Sequence, residues 1–124
     1  MGLHTPRGKF ERLDVILAAQ LRVGGVEGRR TIACTCRNLS ASGCRLQIEH
    51  AELLPGMDVE SPVEFSIQLK PTGLPIQGTA KVAWVRRERG DSGRIRSVLG
   101  LEFTLLPLPE REQIKAYIKS RIQP

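Results

Sequence analysis

Aromatic residues make up only 4% of this 124-residue chain: three phenylalanines, one tyrosine and one tryptophan, none of them clustered. Binders of single-stranded RNA or DNA stack successive bases on neighbouring aromatic side chains, so the scarcity argues against polymer nucleic acid as the partner. Long apolar runs are also missing. No stretch approaches the about 18 residues of a membrane span, and Met1-Gly2-Leu3-His4-Thr5-Pro6 lacks the apolar core of a secretory signal. Both absences predict a cytoplasmic protein without membrane insertion. Catalytic signatures are equally thin. The two histidines are His4 and His50, no serine or cysteine sits at a nucleophile elbow, and there is no P-loop, dinucleotide fingerprint or H-E-x-x-H helix. Glu49, Glu52, Asp58 and Glu60 read as ordinary loop charge. The length suits one domain with one core and is too short for separate catalytic and cofactor domains. The expectation is a non-enzyme without cofactor or metal.

Positive charge is in surplus. Lys+Arg number 19 against 13 Asp+Glu, a formal net charge of +6, which favours an anionic partner. Cysteine is sparse, at three residues. Cys34 and Cys36 share one face of a strand and Cys44 lies on the next strand. A metal site would have to recruit His50, and C-x-C with a lone cysteine and a distant histidine has no zinc spacing. Buried core thiols are the expectation.

The dominant hydrophobic period is two. Val15, Leu17, Ala19 and Leu21 alternate with Ile16, Ala18, Gln20 and Arg22, a first strand with both faces partly covered. Gly24-Gly25 and Gly28 mark a turn. Ile32, Cys34 and Cys36 lie on one face of a second strand, and Cys44, Leu46 and Ile48 on one face of a third. After Pro55-Gly56, the alternation of Val63, Phe65, Ile67 and Leu69 with Glu64, Ser66, Gln68 and Lys70 is the cleanest amphipathic strand. Beyond Pro71-Thr72-Gly73, the residues Ile76, Gly78, Ala80, Val82 and Trp84 fall on one face. Trp84 there reads as core or as a barrel-end plug rather than a stacking platform. The segment Arg86 to Arg94 is polar, charged and glycine-containing, hence a solvated loop and the best candidate for contact with an acidic protein. Leu99, Leu101, Phe103 and Leu105 alternate once more. Pro107 and Pro109 then open a helix from Glu110 to Arg121, with Ile114, Tyr117 and Ile118 on one face. Evenly spaced strands with one terminal helix predict an all-β, six-stranded antiparallel barrel carrying a single C-terminal α-helix.

Between the second and third strands lies a polar knot, Asn38-Leu39-Ser40-Ala41-Ser42-Gly43. Asn38, Ser40 and Ser42 can each bond the local backbone and tighten a turn, and Gly43 can take a positive φ or admit a ligand to the backbone. Several N–H groups aimed the same way would form a shallow anion cup. The same residues are ordinary turn chemistry. Upstream, Arg7, Lys9 and Arg12 form a basic stretch.

Taken in order, Arg7-Gly8-Lys9-Phe10-Glu11-Arg12, Asn38-x-Ser40-x-x-Gly43, Val82-Ala83-Trp84, Gly100-Leu101-Glu102-Phe103 and the helix from Glu110 resemble the PilZ domain over about residues 7 to 122. What that resemblance implies is a six-stranded barrel that binds the bacterial second messenger cyclic di-GMP and relays the signal to a protein effector. Its implied organisation is a flexible basic segment, residues 1–13, followed by the barrel and helix over 14–124. The implied ligand residues are Arg7, Lys9, Arg12, Asn38, Ser40, Ser42 and Gly43. Asn38 would meet a guanine or the backbone, Ser40 a phosphate or a turn amide, and Gly43 would leave room for the ligand. No cofactor is implied, and the chain is expected to be a monomer or homodimer.

One departure bears on that function. Nucleotide-binding PilZ domains resemble one another in R-x-x-x-R ahead of the first strand, and the position four before Arg12 is Gly8. Arg7 and Lys9 flank it. A guanidinium grips phosphate or the O6/N7 edge of guanine bidentately, whereas lysine offers a point charge. The alternative reading is therefore a degenerate PilZ domain that does not bind the nucleotide and serves as an interaction module in pilus, flagellar or exopolysaccharide machinery. Gly8 favours that alternative; Arg7, Arg12 and the complete Asn38-to-Gly43 motif favour the receptor.

Overall fold

The structure is a computed structural model and describes residues 12–24, 30–49, 58–91 and 93–122. Six strands and one helix follow in chain order: β1 (Leu13–Val23), β2 (Arg30–Leu39), β3 (Gly43–Ile48), β4 (Pro62–Ile67), β5 (Ile76–Arg89), β6 (Ile95–Leu105) and α1 (Leu108–Ile122). The strands pair antiparallel in the order β1-β2-β3-β6-β5-β4, and β4 returns to β1, closing the barrel. Every strand thus has a neighbour on both sides over part of its length.

The period-two runs fill the interior as their alternation requires. Leu21, Leu39, Leu46, Ile67, Val82 and Leu99 are fully buried, and the rings of Phe65 and Phe103 stack with centroids 4.7 Å apart. Pro109 occupies the first turn of α1, where its missing N–H is harmless, and the N–H of Arg111 donates to the Pro107 carbonyl at 3.0 Å. Ile114 and Ile118 enter the core and Tyr117 packs against it. Tyr117 and Arg121 share a surface cavity with Leu13–Ala18 of β1 and with Gln68–Pro71, so the helix lies at the barrel end where β1 and β5 begin and β4 ends. Among the described residues no helix is long and apolar enough to cross a membrane.

Four expectations are corrected. The outer face of β1 is open to solvent, with Ile16 76% exposed, because only the inner face packs on the core. The first part of the presumed loop from Arg86 to Arg94 is strand: Arg86 to Arg89 pair with Val98 to Ile95, and beyond them the Gly93 N–H donates to the Gly90 carbonyl and the Gly90 N–H to the Arg94 carbonyl. Trp84 does not face inward with Val82. A register shift between Val82 and Trp84 inserts one residue, reverses the alternation and turns the indole out. A second shift, between Thr79 and Ala80, does the same to Leu105, which is exposed while Leu106 is buried. The Gly25 and Gly28 turn residues, Pro55-Gly56 and His50 lie outside the described residues.

Cys36 and Cys44 are buried in the core and Cys34 is half-buried against it, all three as free thiols. Burial first, and Cys36 second, push the Cys34 thiol up to about 12. Cys44 is raised by its hydrogen bond with Cys36 and then by burial. Cys36 is lowered by its hydrogen bond with Cys44 but is fully buried, so its protection is steric; thiol reagents at pH 8 should modify the folded protein slowly and reach all three sites on unfolding. The raised Cys34 value also predicts stability that is full below its ordinary 9.0 and falls as pH rises toward 12, because the unfolded thiol ionises first. Complete labelling of native protein within mixing time would refute the buried arrangement.

Candidate functional site

The polar knot is the hairpin turn between β2 and β3. Ser40 is its hub: its N–H donates to the Gly43 carbonyl at 2.9 Å, and its Oγ accepts the N–H groups of Ser42 and Gly43, each at 3.2 Å. The Oγ atoms of Ser40 and Ser42 lie 3.1 Å apart. The N–H of Phe103 in β6 donates to the Ser42 carbonyl at 2.9 Å, fixing the turn to the next strand.

This geometry revises two parts of the sequence reading. The amides expected to cup an anion are already satisfied, and Ser40, at 0% exposure, fills the cup from within. Its hydroxyl bonds turn amides rather than lying open to a phosphate. Gly43 does not take the positive φ considered for it; among the described glycines only Gly73 and Gly93 do. A Cβ on Gly43 would lie 2.2 Å from the Leu101 carbonyl oxygen, so the missing side chain makes room for the β6 backbone, where the sequence suggested room for a ligand. Ser42 stays half-buried at the surface.

Polar groups able to meet a ligand lie beside the turn. Arg12 Nη1 donates to Asn38 Oδ1 at 3.1 Å, and Asn38 Nδ2 donates to Asp14 Oδ1 at 3.2 Å. Two of the predicted binding residues, Arg12 and Asn38, are thus brought together on the outside of the barrel. Arg7 and Lys9, with Gly8 between them, lie outside the described residues.

From this cluster one row of positions runs across five strands. Asp14 pairs with Asn38, Asn38 with Arg45, Arg45 with Gly100 and Gly100 with Trp84. The neighbours Leu39, Cys44, Leu46, Val82, Leu99 and Leu101 are buried, so the row faces outward. Three of the four register shifts in the described barrel flank it: between Asp14 and Leu17, between Cys36 and Asn38, and between Val82 and Trp84. Bulges re-aim side chains, and here they turn Asn38 and Trp84 onto a common surface. Arg45 stands half-buried in the middle. At the far end the Arg86 guanidinium lies 5.2 Å from the Trp84 ring centroid and is tied to Glu88.

Sequence reasoning missed Asp14, Arg45 and Trp84 as parts of this surface. The available signal was Gly100, a glycine amid buried β6 residues, which marks a close approach of another group. Neighbouring cations are less available. Lys81 is held charged by Glu60 first and Glu102 second, and Glu88 is kept acidic by its hydrogen bond from Arg96 first. Among the described residues no group of three His, Cys, Asp or Glu is placed to hold a metal ion.

No curated protein matches the chain in sequence. Among solved structures, the inhibitor of motility MotI of Bacillus subtilis superposes with a TM-score of 0.68 at 16% identity, covering 92% of this chain and 51% of its own. MrkH of K. pneumonia in complex with c-di-GMP gives 0.72 at 13% identity, with 97% and 53% covered. The PilZ domain of YcgR from Escherichia coli with c-di-GMP gives 0.67 at 13%, with 90% and 88% covered. The chain therefore spans about half the length of MotI and MrkH. At these identities the superpositions establish a shared fold. The family model described as PilZ domain matches residues 6–120, nearly the whole chain, and on that match the chain belongs to the PilZ domain family.

Proposed function

We propose that this PilZ domain is a receptor for cyclic di-GMP and passes the bound state to a protein effector. The observation that carries the reading is the cluster of Arg12, Asn38 and Asp14 at the head of an outward-facing polar row, beside a turn made rigid by Ser40. A guanidinium and a carboxamide at hydrogen-bonding distance offer donors to phosphate and a donor–acceptor pair to a guanine edge. The basic segment 1–13 would add Arg7 and Lys9 to Arg12, and the turn would add the Ser42 hydroxyl. Ser40 and Gly43 would act indirectly, by holding the turn and its contact with β6. Relatives of this fold support the ligand choice, since MrkH and the YcgR PilZ domain are solved with c-di-GMP.

Binding works by exchange in this reading. Arg12 bonds Asn38, and Asn38 bonds Asp14. A dianionic ligand that draws Arg12 away leaves Asn38 free to meet a base, and the altered surface is what an effector reads. Motility or biofilm machinery is the class of effector this reading assigns, and no catalytic step is assigned to the domain.

Calorimetric titration of the full chain with cyclic di-GMP should give saturable heat and an upward shift in melting temperature, since a ligand that binds only the folded state stabilises it. Absence of both at saturating nucleotide would overturn the receptor in favour of the interaction module.

A further inference from the structure

We infer that the open edge of β1 at Leu13–Leu17 docks an extended, acidic segment of a partner protein, which adds there as a strand. The inference rests on the effector half of the reading above and names the surface and the chemistry of the partner. β4 pairs with β1 only over Ala19–Arg22, and one further bond, from the Gln68 N–H to the Ala18 carbonyl at 2.9 Å, ends the contact. Toward Leu13 the β1 chain pairs with β2 on one side, and among the described residues no strand lies on the other. A groove runs along that side, walled by Gln68–Pro71 and by Tyr117 and Arg121 of α1. The inward residues Leu13, Val15 and Leu17 are left half-buried there, and Ile16 on the outer face is 76% exposed. Unpaired strand backbone beside incompletely covered apolar surface is what an added strand completes.

Charge selects the occupant. Lys70 and Arg121 stand exposed on the opposite wall, and the one carboxylate among the described lining residues, Asp14, is engaged by Asn38. Acidic side chains fit such a groove, whereas the chain's own residues 1–11, with Arg7 and Lys9 against Glu11, bring like charge. A second copy fits no better. It too carries +6, its matching edge lies behind its own helix, and the register shift between Asp14 and Leu17 twists the edge away from the flat approach of another sheet. A single extended chain can follow that twist. Residues rising about 3.4 Å each would cover the edge in a span of about 17 Å, with apolar side chains alternating with acidic ones. Asp14 joins this edge to the Arg12 and Asn38 cluster, so nucleotide and docked segment share a strand.

Selection of random dodecapeptides on the immobilised full chain tests this, with fluorescence anisotropy of the enriched peptides as the readout. Enriched sequences should be net acidic, with apolar residues at every second position. The double variant Lys70→Glu, Arg121→Glu should bind them about 10-fold more weakly. It should melt within about 2 °C of wild type, because both residues are exposed. Only alternate amides of an added strand face the sheet, so N-methylation of one alternate set should weaken binding about 10-fold and of the other less than about threefold. No enrichment, enrichment of neutral or basic peptides, indifference to the charge reversal, or equal effects of the two methylation patterns would overturn the docked strand. Capture at least about 10-fold tighter after removal of residues 1–11 would assign the groove to the chain's own terminus. A wild-type dimer that the peptides dissociate would assign it to a second copy, and either result overturns the proposal. Peptide binding without a calorimetric response to cyclic di-GMP would remove the receptor reading and leave the docked strand in place.

Discussion

Gly43→Val should destabilise the folded protein by about 3 kcal/mol or more, the upper range for overpacking, and lower its melting temperature by about 12 °C for a domain of this size. The reason is the identity of the obstacle. A Cβ here meets the Leu101 carbonyl oxygen at 2.2 Å, and a backbone atom in a paired strand cannot rotate aside as a side chain does. Relief requires β3 and β6 to separate where Gly43 pairs with Glu102 and Cys44 with Leu101, and that separation also strains the Phe103-to-Ser42 hydrogen bond. Gly24→Ala is the matched control: its Cβ has no neighbour within 4 Å among the described residues, and the change should stay within about 0.5 kcal/mol. Thermal and denaturant unfolding of the two variants checks this. A Gly43→Val melting point within about 2 °C of wild type would contradict the close approach of β6.

Local pattern made most of this barrel legible. In β1, β3 and β4 the interior positions are apolar without interruption, so alternation alone placed Leu21, Leu46 and Phe65 in the core. The helix was legible from Pro109 and from the spacing of Ile114 and Ile118. What alternation cannot convey is an inserted residue. One extra position in β5 turned Trp84 outward, and the shift opposite Thr79 turned Leu105 outward, because parity beyond a bulge is reversed. The far half of β5 was read as loop for a related reason. Arg86 to Arg89 pair with β6 alone, so neither face needs the apolar alternation that identifies a strand.

The candidate site divides along the same line. Arg12 and Asn38 were legible because each belongs to a short local motif. Asp14, Arg45 and Trp84 join them only through the register of non-adjacent segments, which no local window contains. Ser40 and Gly43 carry the opposite lesson. A serine that satisfies two turn amides and a glycine that admits a neighbouring strand are the same residue types an anion site uses. The residue types were legible in the sequence, whereas their contacts with the turn amides and with β6 depend on register.

Arg12→Ala should weaken cyclic di-GMP binding by about 10- to 150-fold, the equivalent of about 1.5–3 kcal/mol for hydrogen bonds to a charged group. Stability should barely change, because the bond from Arg12 to Asn38 is exposed. The loss would fall on binding alone, which separates this variant from Gly43→Val. Arg7→Ala should cost less, since Arg7 stands five places before Arg12 rather than four. Gly8→Arg supplies the missing guanidinium at the R-x-x-x-R spacing, and a second bidentate grip on phosphate or guanine should tighten binding by about 10-fold. Calorimetry on the three variants beside wild type measures these differences directly. Unchanged affinity in Arg12→Ala would detach the basic segment from the ligand. If wild type gives no heat while Gly8→Arg binds, the surface built by Asn38 and its row is competent and the chain lacks only its second arginine. In that case the natural protein is an interaction module that has kept the receptor's architecture.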